Sequence, residues 1–357
     1  MNSRKQIIRD ILRYIPFKDI IVKYDYYLEG KLDSILSDVE DTEVGNYLEI
    51  RTLKDGRAVT NIQNEKYLII WGLNTRKPNI KIELQFIFRF KILPNQNLIT
   101  CSDNGVLGIW DTNSGQLIDS LRVDIDNPQT LNVISEDIII LTTEIQVYKV
   151  NIKTHQIDLL NIQGYFDELN TIIMGDNLIA CINGKITIFN INTYQIKSIE
   201  TPFADILYIF KISDELFAIS GNSNNVIIYD INTLKEKAIL KGHINTIILL
   251  LLLPLPDGRI VTGDHNGIII VWKDYKVQYI LTGHRSALMS MKLLPDGKLI
   301  SGGEDDHIIN VWNLDTGKLE ITFPRIHRGM ISQIEVLADG RPISAGGEED
   351  GLIIVWK

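Results

Sequence analysis

Apolar residues along this chain come in short runs separated by polar turns, and towards the C-terminal end the order of runs and turns repeats. The stretches LPDGRIVTGDHNGIIIVW, LPDGKLISGGEDDHIINVW and LADGRPISAGGEEDGLIIVW each carry an Asp-Gly turn, an apolar strand, a polar turn and a second apolar strand closed by Trp, at Trp272, Trp312 and Trp356. Weaker copies upstream close at Trp71 and Trp110, and three more at Tyr148, Phe189 and Tyr229. The closing positions are 71, 110, 148, 189, 229, 272, 312 and 356, so successive intervals run from 38 to 44 residues. Another apolar run precedes each Asp-Gly-type turn, at residues 47–53, 86–93, 287–294 and 331–337. One more follows the closing aromatic, as in GQLIDSL and GKLEITF.

Each period therefore holds about four strands and no helical spacing. Strands this short are not stable alone and must pair into sheets that stack to bury both faces. A period near 40 built from strands alone predicts an all-β fold, a β-propeller of four-stranded blades. Eight closing positions predict eight blades, with seven as the alternative if one middle unit is irregular. The last unit carries no run after Trp356 to serve as its outer strand, and a bare edge there would invite aggregation. GKLDSIL, at residues 30–36, matches the outer-strand segment GKLEITF in its first three residues and in an acid at the fourth. We therefore expect an N-terminal strand over residues 31–37 to close the final blade, which makes residues 30–357 the propeller domain.

The C-terminal repeats, with LKGH, LTGH, SGG and VW in place, resemble the WD-repeat β-propeller family; from residue 132 to 230 only the period and the strand pattern carry the likeness. The resemblance implies a hydrogen-bonded chain inside each blade, made of a His ahead of the inner strand, a Ser or Thr on the next strand, an Asp of the following turn and the closing Trp. The residues in those places are His243, Thr262 and Trp272; His284, Ser301, Asp306 and Trp312; and His327, Ser344, Asp350 and Trp356. In the sixth repeat Asn266 stands where the Asp is expected, which predicts a weaker network. In the eighth a longer turn leaves the hydroxyl position open between Ser344 and Ala345. Repetition of Ser, His and Asp in successive units speaks against a catalytic triad, which needs one nucleophile, one base and one oxyanion pocket.

Composition narrows the function further. A net charge of −9 disfavours nucleic acid or an anionic membrane as the main partner. Two cysteines, Cys101 and Cys181, make neither a disulfide framework nor a zinc cluster. His155, His265 and His307 have no ligand spacing, and the acids following the glycines of SGGEDD and AGGEED would repel phosphate, so no cofactor and no metal are expected. Low cysteine use and a polar start, MNSRKQIIRD, fit a cytoplasmic protein. The most promising surface is charged. Glu304, Asp305, Glu348 and Glu349 fall on turns between second and third strands, while Arg285, Arg325 and Arg328 fall on connections into first strands. In a propeller both loop sets emerge at one end of the ring, a mixed-charge rim suited to docking a protein.

Residues 1–29 fall outside the repeat. Ser3 with Gln6 fits a capping box, Ile7, Ile8, Ile11, Leu12 and Ile15 recur at helical spacing, and Pro16 ends the run before a second amphipathic segment. The string IIRDILRYIPFKDIIVKYD resembles the first half of an F-box, through Ile11-Leu12, Tyr14-Ile15-Pro16 and Asp19-Ile20. It lacks the opening Leu-Pro, and no third helix with its Trp follows. The resemblance implies a cullin adaptor as partner, bound by Ile11, Leu12, Ile15 and Ile20, and hence a substrate receptor of a ubiquitin ligase; the alternative is a helical segment that braces the ring. The expectation for the whole is a non-enzymatic protein-binding scaffold, monomeric outside its complex. A propeller enzyme would need a single cluster of acids, histidines or metal ligands at the central channel, and the sequence shows none.

Overall fold

The computed structural model describes residues 32–36, 48–62, 67–72, 77–84, 89–162, 164–167, 170–182, 184–203, 206–221, 223–244, 251–347, 350 and 352–357. The helical segment expected over residues 1–29, with Ile11, Leu12, Ile15 and Ile20, lies outside them, as do Glu348 and Glu349.

The described residues form eight four-stranded antiparallel sheets. We number the blades 1 to 8 from Leu48. Blade 1 runs Leu48–Thr52, Ala58–Ile62, Tyr67–Gly72 and Lys77–Glu83 from inner to outer strand. Blades 2 to 7 repeat that order along the chain. Blade 8 has Ile331–Val336, Pro342–Gly346 and Ile353–Trp356, with Leu32–Leu36 as its fourth strand. That strand runs antiparallel to the third, pairing Leu32 with Trp356 and Leu36 with Ile353.

The core lies between blades. The cluster joining blades 8 and 1 packs Ile50, Ala58 and Trp71 against Ile343, Ala345, Ile353 and Val355. Seven further clusters of the same kind link the other neighbours in turn, so the stacking closes into a ring. Inner strands read as near-alternating because one face packs on the next blade, whereas second strands such as Leu299–Gly303 are buried throughout. Outer strands are largely exposed to water; in KLEIT only Ile321 is half-buried and the other four residues are exposed.

Two turn types set the register. The Asp-Gly turn joins first to second strand, with Leu53 N–H donating to Arg57 C=O at 2.8 Å and Gly56 at φ +90°, a conformation that favours glycine. The turn from third to fourth strand starts on Asp or Asn, whose side-chain oxygen accepts the N–H groups two and three residues on; Asp111, Asn151, Asn190, Asp230 and Asn313 all do so.

That second turn corrects one closing position. Asn151 occupies in blade 3 the place of Asp111 in blade 2, and Val150 pairs with Ile139 as Trp110 pairs with Leu98. Val150, not Tyr148, therefore closes the third unit. Tyr148 sits two residues earlier on the strand, with its hydroxyl donating to Gln146.

Candidate docking rim and the buried networks beneath it

The polar networks are assembled at the interface of second and third strands, where the closing Trp faces a hydroxyl from the next strand. In blade 7 Trp312 Nε1–H donates to Ser301 Oγ at 2.8 Å, Ser301 Oγ lies 2.7 Å from His284 Nε2, and His284 Nδ1 lies 2.9 Å from Asp306 Oδ2. The donor inventory fixes the protons. Indole N–H can only donate, so the hydroxyl accepts there; the Asp306 carboxylate can only accept, so Nδ1–H donates to it, and in that tautomer Nε2 takes the hydroxyl proton. Blade 8 repeats the arrangement with Trp356, Ser344, His327 and Asp350, at 2.9 and 2.7 Å for its first two bonds. Ser344, not Ala345, is the hydroxyl residue.

Blade 6 departs from the expectation. Trp272 donates to Thr262 at 2.8 Å and Thr262 meets His243 Nε2 at 2.7 Å. The carboxylate comes from Asp264, 2.9 Å from His243 Nδ1, and so the network is complete without Asn266. Asn266 only donates its backbone N–H to Asp264. All three histidines are buried. Burial works to raise the Asp264 and Asp306 carboxyls, but the hydrogen bonds they accept from histidine and from backbone N–H groups outweigh it and hold both below the ordinary carboxylate range.

Blades 1 and 2 keep only the indole–hydroxyl pair, Trp71 to Thr60 at 2.8 Å and Trp110 to Thr100 at 3.0 Å. In blades 3, 4 and 5 the pair becomes apolar, with Leu141, Ala180 and Ile219 at the hydroxyl position and Val150, Phe189 and Tyr229 at the closing position. Loss of both partners together leaves no orphaned polar group and costs little.

The rim sits directly above these networks. In blade 7 the turn between second and third strands is hydrogen-bonded to the connection from blade 6. Glu304 N–H donates to Ala287 C=O at 2.9 Å, Asp306 N–H to Ser286 Oγ at 3.1 Å and Arg285 N–H to Asp306 Oδ2 at 3.0 Å. In blade 8 Gly347 N–H donates to Met330 C=O at 2.8 Å. The two loop sets thus share one end of the ring. Arg285, Asp305, Arg325 and Arg328 are exposed and Glu304 is half-buried.

The channel wall is polar on one side. A cavity of about 390 Å³ lies among Arg51, Lys91, Asn132 and Glu335 on the inner strands of blades 8 and 1 to 3. Two of its charges pair with residues beside the lining, Glu335 with Lys292 at 3.0 Å and Arg51 with Glu49. Polar staples that sequence reading missed bind neighbouring inner strands here. The Gln333 amide both accepts from Ile50 N–H at 2.9 Å and donates to Ile50 C=O at 2.8 Å. Ser290 Oγ, at the equivalent place in blade 7, accepts from Ile334 N–H at 2.8 Å. No group of three or more His, Cys, Asp or Glu among the described residues is arranged to hold a metal. Burial pushes the thiols of Cys101 and Cys181 up to about 12, so both are protonated and poor nucleophiles at neutral pH.

Comparison with known proteins agrees with this geometry. The computationally designed Ika8 protein, solved in a P63 crystal packing, superposes with a TM-score of 0.67 over 92% of this chain and 98% of its own, at 18% identity. That likeness concerns the fold alone. In sequence, 110 residues are 30% identical to WD repeat-containing protein 26 homolog of Drosophila melanogaster, covering 28% of this chain and 17% of that protein. Another 69 are 32% identical to the 77 kDa echinoderm microtubule-associated protein of Strongylocentrotus purpuratus, covering 18% and 10%. The chain thus spans less than a fifth of the length of these curated relatives. The family described as WD domain, G-beta repeat matches residues 275–313, the outer strand of blade 6 and the first three strands of blade 7. The described residues form an eight-bladed β-propeller in which residues 275–313 match the family described as WD domain, G-beta repeat.

Proposed function

We propose that this protein is a non-enzymatic scaffold that binds a protein partner across the rim formed by the connections into first strands and the turns between second and third strands. The observation that carries the reading is the fixing of those loops to one another above blade 7. Hydrogen bonds hold the backbone of Arg285, Glu304 and Asp306 in place while the charged side chains of Arg285 and Asp305 project outward. Charged groups on a rigid frame bind at low entropic cost. The recurring Ser, His and Asp are engaged in buried networks, which leaves them no catalytic task. A relative whose name describes a microtubule-associated protein supports protein binding as the general role. On this reading the protein works in the cytoplasm, as a monomer outside its complex, without a cofactor.

Charge reversal tests the rim. Lys at positions 304, 305, 348 and 349 (E304K, D305K, E348K, E349K) is expected to weaken capture of co-purifying proteins at low salt and to flatten its salt dependence, because rim charges act chiefly on association. The melting temperature is expected to stay within a few degrees, since substitutions that leave the buried networks intact usually cost little, about 0.5 kcal/mol or less. Unchanged capture at low salt would place the partner elsewhere.

The finer reading is recruitment to a cullin–RING ubiquitin ligase through the F-box-like segment. Its support is the order of that string and the propeller along the chain. Ile11→Asp with Leu12→Asp is expected to abolish co-purification of the cullin adaptor while leaving thermal stability almost unchanged. Marked destabilisation without any adaptor bound to the parent protein would instead show a bracing segment.

A further inference from the structure

The buried couples of blades 6, 7 and 8 present the same histidine atom to a carboxylate, yet the chain supplies that carboxylate from different places. Asp264 stands two residues after Thr262, whereas Asp306 stands five after Ser301 and Asp350 six after Ser344. The position two after the hydroxyl residue is Gly303 in blade 7 and Gly346 in blade 8. A Cβ on Gly303 would run into the Asp306 carboxylate and stand 2.9 Å from His284 Nδ1; one on Gly346 would run into the Asp350 carboxylate. Neither glycine has the positive φ that would itself call for glycine. Space, not backbone conformation, is what these glycines provide.

We infer that the carboxylate of this couple has two interchangeable sources in the repeat, and that Gly303 and Gly346 clear the room that lets the turn supply it. Among the described residues the second source makes contacts that the first does not. Asp264 uses Oδ1 to hold its own short turn, accepting the N–H groups of Asn266 and Ile268 at 2.9 and 3.0 Å. Asp306 reaches across. Its Oδ2 accepts from both His284 and Arg285 N–H, its Oδ1 from Ile308 N–H at 3.0 Å, and its own N–H donates to Ser286 Oγ. One residue thus clasps the acidic turn carrying Glu304 and Asp305 onto the connection carrying Arg285. Asp306 and Gly303 are positioning residues for the rim. That the clasped turn serves docking rests on the scaffold reading above; the interchange and the clasp do not.

The test uses the full-length protein and needs no partner, so it stands even if charge reversal shows that the partner binds elsewhere. Melting temperatures are measured for Asp306→Ala, Gly303→Asp and the pair. Each single substitution is expected to lower the melting temperature, the first by orphaning His284 and the second by forcing two carboxylates into one space. The pair is expected to recover at least half of the Asp306→Ala loss. Hydrogen exchange then reads the clasp: the turn amides at residues 304–308 are expected to exchange about tenfold faster in the pair than in the parent, because the restored couple no longer ties the turn down. A pair no more stable than Asp306→Ala, or one that fails to fold, overturns the interchange. A pair whose turn amides stay as protected as in the parent overturns the clasp.

Discussion

Removal of residues 1–38 is expected to turn a folded ring into a protein that aggregates on mild warming, while removal of residues 1–28 leaves it folded. The difference is the strand Leu32–Leu36. It covers Ile353–Trp356, a run of four buried apolar residues, through a ladder from Leu32–Trp356 to Leu36–Ile353. Without it the third strand of blade 8 becomes an edge with the sequence IIVW, which has the composition of an aggregation-prone segment. The same strand supports Trp356, whose ring packs 4.6 Å from Phe323 of blade 7. Thermal melts with light scattering on the two truncations decide the matter. A version starting at residue 39 that stays soluble and melts with the parent would show that blade 8 is stable with three strands.

The second large effect is expected at Trp312. Its indole is almost fully buried, packs in the cluster of Leu288, Leu299 and Leu281 between blades 6 and 7, and supplies the proton that anchors Ser301. Trp312→Ala removes that volume and is expected to cost about 3–5 kcal/mol in urea unfolding, the range for a buried aromatic truncated to Ala. Trp312→Phe keeps most of the packing and deletes the N–H, so about 1 kcal/mol is expected, the net worth of an ordinary hydrogen bond. Equal losses from the two would mean that the hydrogen bond outweighs the packing. A loss well under 1 kcal/mol from Trp312→Ala would mean that the interface closes around the gap.

Fold and networks were readable in the sequence to different depths, for reasons that trace to particular residues. The period, the four strands per unit and the expectation of eight blades rather than seven follow from the short apolar runs and the spacing of the closing positions, both local signals. Trp272, Trp312 and Trp356, with His and Ser or Thr at similar spacings, were legible as networks through the likeness to WD repeats, and each of those side chains carries a polar atom that needs a partner when buried. Tyr148 misled because an aromatic attracts the eye; the turn-forming Asn151 was the better marker, and it points to Val150. Asp264 lies on the near side of the turn, ahead of Asn266, where the likeness to WD repeats does not place an Asp. The available signal was an Asp where the two following units have Gly303 and Gly346. Gln333 and Ser290 gave no signal at all, since their partners are backbone groups of residues in another blade. The rim was legible as charge on turns, but the bonds that fix it join main-chain N–H groups to Ala287 C=O, Ser286 Oγ and the Asp306 carboxylate, pairings that spacing along the chain does not announce.

The Gln333 staple has a consequence for how the ring comes into being. Its two bonds to Ile50 join residues 283 apart, whereas the hairpins of blades 1 to 7 pair neighbouring strands. Closing a loop of that length, relative to one of about 12 residues, carries about 3 kcal/mol of extra chain entropy by logarithmic scaling. Contacts of such separation form late, after local ones have reduced the search. During synthesis Leu32–Leu36 leaves the ribosome about 300 residues ahead of its pairing partner Ile353–Trp356. The strand must therefore wait while seven blades are made, and the slow step of folding is expected to be its meeting with Ile353–Trp356 at blade 8.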